Sequence, residues 1–189
     1  MARPLSDEKR EALLRAATHA IAELGPAAPI SRIASAAGVA EGTLYTYFAT
    51  KQELFSQLFI MLETDFSAAI LDDLPHAASP REQLRHVWWQ LVNWGVRDPI
   101  RLKALLQLKA SPDIDDASRR KAGELLAEVQ SAIHSPLRAF VKDARLAFYA
   151  GPILIALVET TQKAVLADPG NSDALLEAGF DVYWNGIQQ

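Results

Sequence analysis

The chain has 189 residues, 50% of them hydrophobic and 22% charged, with a formal net charge of −4 and no cysteine. This length and composition suit a small module joined to a larger one, each with a buried core, and exclude a disordered chain. The lack of cysteine excludes disulfides, thiolate metal sites and cysteine nucleophiles; with an N-terminus lacking the apolar stretch of a signal peptide, it points to the cytoplasm.

Apolar residues return every three or four positions nearly throughout, with no sustained alternation of the kind a half-buried strand shows, so the chain is expected to be all-α. Helix one is expected over Asp7–Leu24, capped by Ser6, with Asp7 and Glu8 at the positive end of its dipole and Gly25 ending it. Its buried stripe is expected to be Leu14, Ala17, Ile21 and Leu24. Pro26 and Pro29 enforce a connection, and a short helix carrying Ile30, Ile33, Ala34 and Ala37 follows before a tight turn at Gly38. A third short helix starts near Glu41 and carries Leu44, Tyr45 and Phe48. Thr50 opens a fourth, about 51–70, with Glu53 in capping-box spacing.

Breaks near 72–80, at Asp98 and Pro99, at 111–113 and at 168–171 separate further helices expected over 81–97, 100–110, 116–142, 145–167 and 172–187. That gives about nine helices, with Pro136 and Pro152 expected to kink the two longest. The longest apolar run, Leu146–Val158, is shorter than the roughly 20 residues of a bilayer span, so no membrane partner is expected. The division expected is an N-terminal module over 1–52, a linking fourth helix, and a larger helical module over 53–189.

The charge is unevenly spread. Residues 1–55 hold six basic and six acidic residues, and the remainder thirteen basic and seventeen acidic, so the acid excess lies away from the N-terminal module. Between Ile30 and Lys51 two short helices meet across a glycine turn, with Ile33, Ala34, Val39, Leu44 and Phe48 as a small shared core. The opposite face offers Glu41, Thr43, Tyr45, Thr46 and Tyr47, groups that can reach phosphates or base edges in a major groove. Lys51 starts the next helix, whose backbone amides also favour an anion.

The run Ile-Ala, Ala-Gly-Val, Gly-Thr-Leu-Tyr-x-Tyr-Phe and then Lys resembles the TetR family of transcriptional regulators over about residues 8–60. The resemblance implies an N-terminal three-helix helix-turn-helix domain, a larger helical ligand-binding and dimerisation domain, and a ligand-responsive repressor that binds a near-palindromic operator as a homodimer. It implies a recognition helix over roughly Glu41–Phe48, with Thr43, Tyr45, Tyr47 and Lys51 on phosphates, Arg32, Glu41 and Thr46 toward base edges, and Gly42 in the same face. Where the family usually opens its second helix with Thr or Ser, this chain has Pro29, with Ser31 a substitute. Bland alternatives stand beside these roles: Tyr45 and Tyr47 as packing, Glu41 as a partner of the helix dipole, Arg32 as a solvated charge.

For the later helices the expectation is a four-helix dimer interface from the last two helices of each copy, with Leu175, Gly179, Val182 and Gly186 on the last and the apolar run Leu146–Val158 on the one before, against the alternative of an intramolecular core. Trp88 falls on a buried stripe. Trp89, Asn93 or Trp94 is expected to face a mostly apolar pocket for a small effector, unless these rings only pack. His19, His76, His86 and His134 are scattered, and no phosphate loop or nucleophile elbow occurs. No catalytic residue, metal or cofactor is therefore expected; a protein-interaction bundle, or less plausibly an enzyme, is the rival function.

Overall fold

The computed structural model describes residues 6–188. Among them it contains α-helices and short 3-10 and π segments and no strand. The helices are α1 (Asp7–Leu24), α2 (Ile30–Ala36), α3 (Glu41–Tyr47), α4 (Lys51–Leu71), α5 (Pro80–Arg97), α6 (Pro99–Lys109), α7 (Asp116–Leu137), α8 (Asp143–Phe148), α9 (Leu154–Ala167) and α10 (Ser172–Ile187). A π-helical segment, Tyr149–Ile153, runs α8 into α9 without a break, so the described residues form nine rods.

Packing divides the chain into two units: one takes residues up to Thr64 together with Pro99–Gly123, the other Asp65–Asp98 and the residues from Glu124 on. The division expected after residue 52 is therefore displaced. Its physical cause is α6, which packs along α1 and so joins the N-terminal helices, although more than seventy residues separate it from α1.

In the first unit α1 buries Leu13, Leu14, Ala17 and Ile21, but Leu24 is 40% exposed and leaves the stripe expected for it. Ser6 occupies the N-cap position of α1 with extended backbone, yet its side chain makes no cap bond. Gly25 ends the helix at φ 69°, a left-handed value that favours glycine. Ile33, Ala34, Leu44 and Phe48 form a shared core, each 1% exposed or less, with Val39 half-buried beside them. Gly38, at φ 70°, makes the turn between α2 and α3. At the start of α4 the Thr50 hydroxyl accepts from the Glu53 N–H at 3.0 Å, while the Glu53 carboxylate accepts from the Ala49 N–H at 2.8 Å. The reciprocal bond thus falls one residue before the cap.

In the second unit α5 opens with a complete capping box: Ser79 and Glu82 exchange backbone-to-side-chain bonds of 3.3 and 2.9 Å. The Ser79 hydroxyl, which donates to the Glu82 carboxylate at 2.7 Å, and then the Ser79 N–H hold that carboxyl below its ordinary range. Trp88 is fully buried, donates its indole N–H to the Leu176 carbonyl at 3.0 Å and stacks on Tyr183 with centroids 6.2 Å apart. α7 stops at Leu137 rather than continuing to 142, one residue past Pro136, whose ring cannot donate to the helix ladder. Pro152 sits within the π segment. There the wider turn frees carbonyls, and the Tyr183 hydroxyl donates to that of Tyr149 at 3.3 Å. Burial pushes the Tyr183 phenol well up, which keeps it an O–H donor.

The rods Lys51–Leu71 and Asp143–Ala167 are long and apolar enough to cross a bilayer by length and composition alone. The apolar run 146–158 is thus part of a longer helix than its own length suggests. In the second rod Glu159 and Lys163 lie on the exposed side with Ile155 and Leu166, a mixed face that suits a protein surface.

Candidate nucleic-acid interface and effector cleft

Leu44 and Phe48 anchor α3 from below and leave its other side open. Glu41, Gly42, Tyr45 and Thr46 are exposed there, Tyr45 at 44%, while Thr43 and Tyr47 are half-buried at the rim. The Thr46 hydroxyl donates back to the Gly42 carbonyl at 3.1 Å. A Cβ built on Gly42 would meet no atom within 4 Å, so packing inside the protein does not require glycine there. The missing side chain instead leaves backbone bare for close approach from outside.

Three tethers steady this surface. The Tyr47 hydroxyl accepts from the Ser6 N–H at 3.0 Å, tying the end of α3 to the start of α1. Arg32, exposed on α2, donates to the Glu23 carboxylate of α1 at 2.6 Å. Arg10 bonds Gln57 and lies 5.7 Å over the Phe48 ring. The Lys51 ammonium stands 5.1 Å from the Phe55 centroid, its stem half-buried. Ser31 is exposed at the start of α2, and Pro29 holds the N-cap position with no side-chain cap bond.

Sequence periodicity marked the open face of α3 but missed these tethers. Glu23 and Arg32 are nine residues apart across a turn, and Arg10 and Gln57 forty-seven apart, so no helical spacing links them.

In the second unit Trp89 and Asn93 line an open cleft of about 680 Å³ between α5 and α10, with His86, Arg97, Asp173 and Glu177 among the other walls. It is charged and not mostly apolar as expected. Trp94 is not part of it: 8% exposed, it donates its indole N–H to Asp65 at 3.2 Å and packs edge-on against Phe66. Its place off the Trp88 stripe reflects contact with α4 instead. Among the described residues no group of three or more His, Cys, Asp or Glu is arranged to hold a metal ion.

The residues expected at the dimer interface divide. Val182 is 60% exposed and Leu175 half-buried against the unit's core. Gly179 faces inward: a Cβ there would collide with the Thr161 hydroxyl and lie 2.7 Å from the Trp88 ring, so its small size serves intramolecular packing. A Cβ on Gly186 would meet nothing within 4 Å. The outward side of α10 is Ala174, Ala178 and Val182, in four-residue steps, and exposed Phe148 and Ile155 stand on the neighbouring rod.

Residues 13–58 match the family described as bacterial regulatory proteins, tetR family. The chain is 36% identical over 73 residues to the fatty acid metabolism regulator protein of Bacillus subtilis (strain 168), a match that takes in 38% of each chain. It therefore spans well under half of that relative's length. A crystal structure of a TetR family transcription regulator from Marinobacter aquaeolei VT8 is similar at a TM-score of 0.77 and 23% identity, covering 95% of both chains. The transcriptional regulator FadR from Bacillus subtilis, solved in complex with stearoyl-CoA, is similar at a TM-score of 0.64 and 20% identity, covering 90% of this chain and 97% of that one. At these identities the structural likeness speaks for the fold alone, and the family match concerns residues 13–58. Residues 13–58, running from α1 into α4, thus match the tetR family of bacterial regulatory proteins, and the fold along nearly the whole length is that of solved TetR family regulators.

Proposed function

We propose that this chain is an effector-responsive repressor that binds a near-palindromic operator as a homodimer. The observation that carries the proposal is the open face of α3: Glu41, Gly42, Tyr45 and Thr46 project from a helix whose opposite side is locked in a core. Thr43, Tyr45, Tyr47 and Lys51, with Ser31, hold phosphates, while Glu41 and Thr46 reach base edges. Arg32 is held on Glu23 and must exchange that partner to read a base. The exposed apolar residues Phe148, Ile155 and Val182 support pairing of two copies, since leaving them in water costs roughly 25 cal/mol per Å² of apolar surface. Two-fold symmetry then sets the half-site spacing.

A small, partly apolar effector would favour a state whose reading heads are wrongly spaced, by binding that state more tightly. A similarly folded regulator solved with stearoyl-CoA supports an effector-binding role for this fold. Retardation of a fragment of the gene's own promoter, measured across a salt series, tests the DNA-binding part. Specific retardation that weakens with salt by a slope of several counterions is expected. Equal retardation of random duplex would contradict it.

A further inference from the structure

The cleft between α5 and α10 carries a pattern of paired and unpaired charge. Arg85 and Glu177 form an ion pair across it, and Arg81 pairs with Asp181 one turn away at 3.5 Å. These pairs step four residues in opposite directions along the two helices, so α5 and α10 run antiparallel and Asp173 comes opposite Trp89. The Arg85 guanidinium lies 4.9 Å over the Trp89 ring and holds it in place. Farther along the same face of α5, Asn93 and Arg97 follow at helical spacing.

Asp173 and Arg97 line the cleft with opposite charges and, among the described residues, have no ion pair or hydrogen bond from another side chain. At the same wall the His86 Nε2 atom is shut off from solvent and has no hydrogen-bond partner. Trp89 and Arg97 are eight residues apart, about 12 Å along the axis at 1.5 Å per residue. Helical side chains lean toward the N-terminus, which brings the guanidinium back toward Asn93 and shortens the gap between the charged ends.

We infer that this cleft binds a zwitterion of about dipeptide length. Its ammonium meets Asp173, its carboxylate meets Arg97 and Asn93, and a flat apolar group near the ammonium end stacks on Trp89. This gives the effector site of the proposed regulator a chemistry, and it rests on that proposal only for its consequence at DNA.

The test uses the full chain and calorimetric titration with phenylalanyl-glycine, alongside the same dipeptide acetylated at its amine and the same dipeptide amidated at its carboxylate. The free dipeptide is expected to bind, and each blocked form to bind at least tenfold more weakly. Arg97→Gln should weaken the free dipeptide tenfold or more and leave the amidated form unaffected; Asp173→Asn should do the converse with the acetylated form. Circular dichroism of both variants, which alter exposed residues, checks that they fold. No heat from the free dipeptide at millimolar concentration, or binding indifferent to both variants, overturns the inference. Retardation of promoter DNA without dipeptide is run on the same preparations: its loss refutes the regulator reading, whereas its retention with no dipeptide binding refutes only the cleft.

Discussion

Gly179 sits where α10 packs against α5 and α9, with no room for a methyl group between Thr161 and the fully buried Trp88 ring. Trp88 is fixed by its bond to Leu176 and by its stack on Tyr183, so it cannot easily yield. Gly179→Ala is expected to destabilise the protein by about 1–3 kcal/mol through overpacking, read as a lower urea midpoint with unchanged slope. On the face of α3 the roles of neighbours should separate. Thr43→Ala should weaken binding to operator and random duplex alike, whereas Glu41→Ala should change sequence preference. Equal effects of Glu41→Ala on both DNAs, measured by retardation, would contradict its assignment to a base edge.

At the scale of elements, one buried charge links α4 to α6. Glu63 is fully buried, 3.1 Å from the Lys109 ammonium. Burial raises its carboxyl above the ordinary 4.5, and Lys109 opposes that rise. The folded state therefore holds this proton more firmly than the unfolded one, so Glu63 stabilises the fold at low pH. That contribution is lost as pH rises from about 4.5 through the raised value. Urea titrations of wild type and Glu63→Gln should diverge in the variant's favour over that window, because Lys109 is partly exposed and can be solvated by water. A difference independent of pH would refute the assignment.

The same scale separates what is legible in the sequence from what is not. α1, α5 and α10 follow from local signals: the glycine after Leu24, the breaks before residue 81 and at Asp98 and Pro99, and apolar spacing mark the ends of the first two within a residue. The inward turn of Gly179 against Thr161 and Trp88, and the bond from Tyr183 to the π segment, depend on partners far along the chain, which periodicity does not carry; Pro136 was legible, but it ends α7 where only a kink was expected. The candidate DNA face was legible because α3 buries one side through Leu44 and Phe48, leaving the rest to face outward. Its tethers to Glu23, Ser6 and Gln57 were not, for they join residues with no helical spacing. Trp94 was misplaced for a like reason: its partner, Asp65, lies on another helix.

For the whole molecule, the central expectation is that two copies act together. Ile155→Glu combined with Val182→Glu places charge on the exposed apolar faces without touching either unit's core. Light scattering at micromolar concentration should report a dimer for wild type and a monomer for the double variant, with operator affinity lost in the variant and its helical spectrum kept. A monomeric wild type would contradict pairing. The most direct measurement is selection of bound sequences from a random duplex pool by the full chain. The account predicts an enriched near-palindrome with half-sites about 10 base pairs apart, centre to centre, or a multiple of that spacing. A pool that stays random, or an enriched site with a single unpaired half, would contradict it.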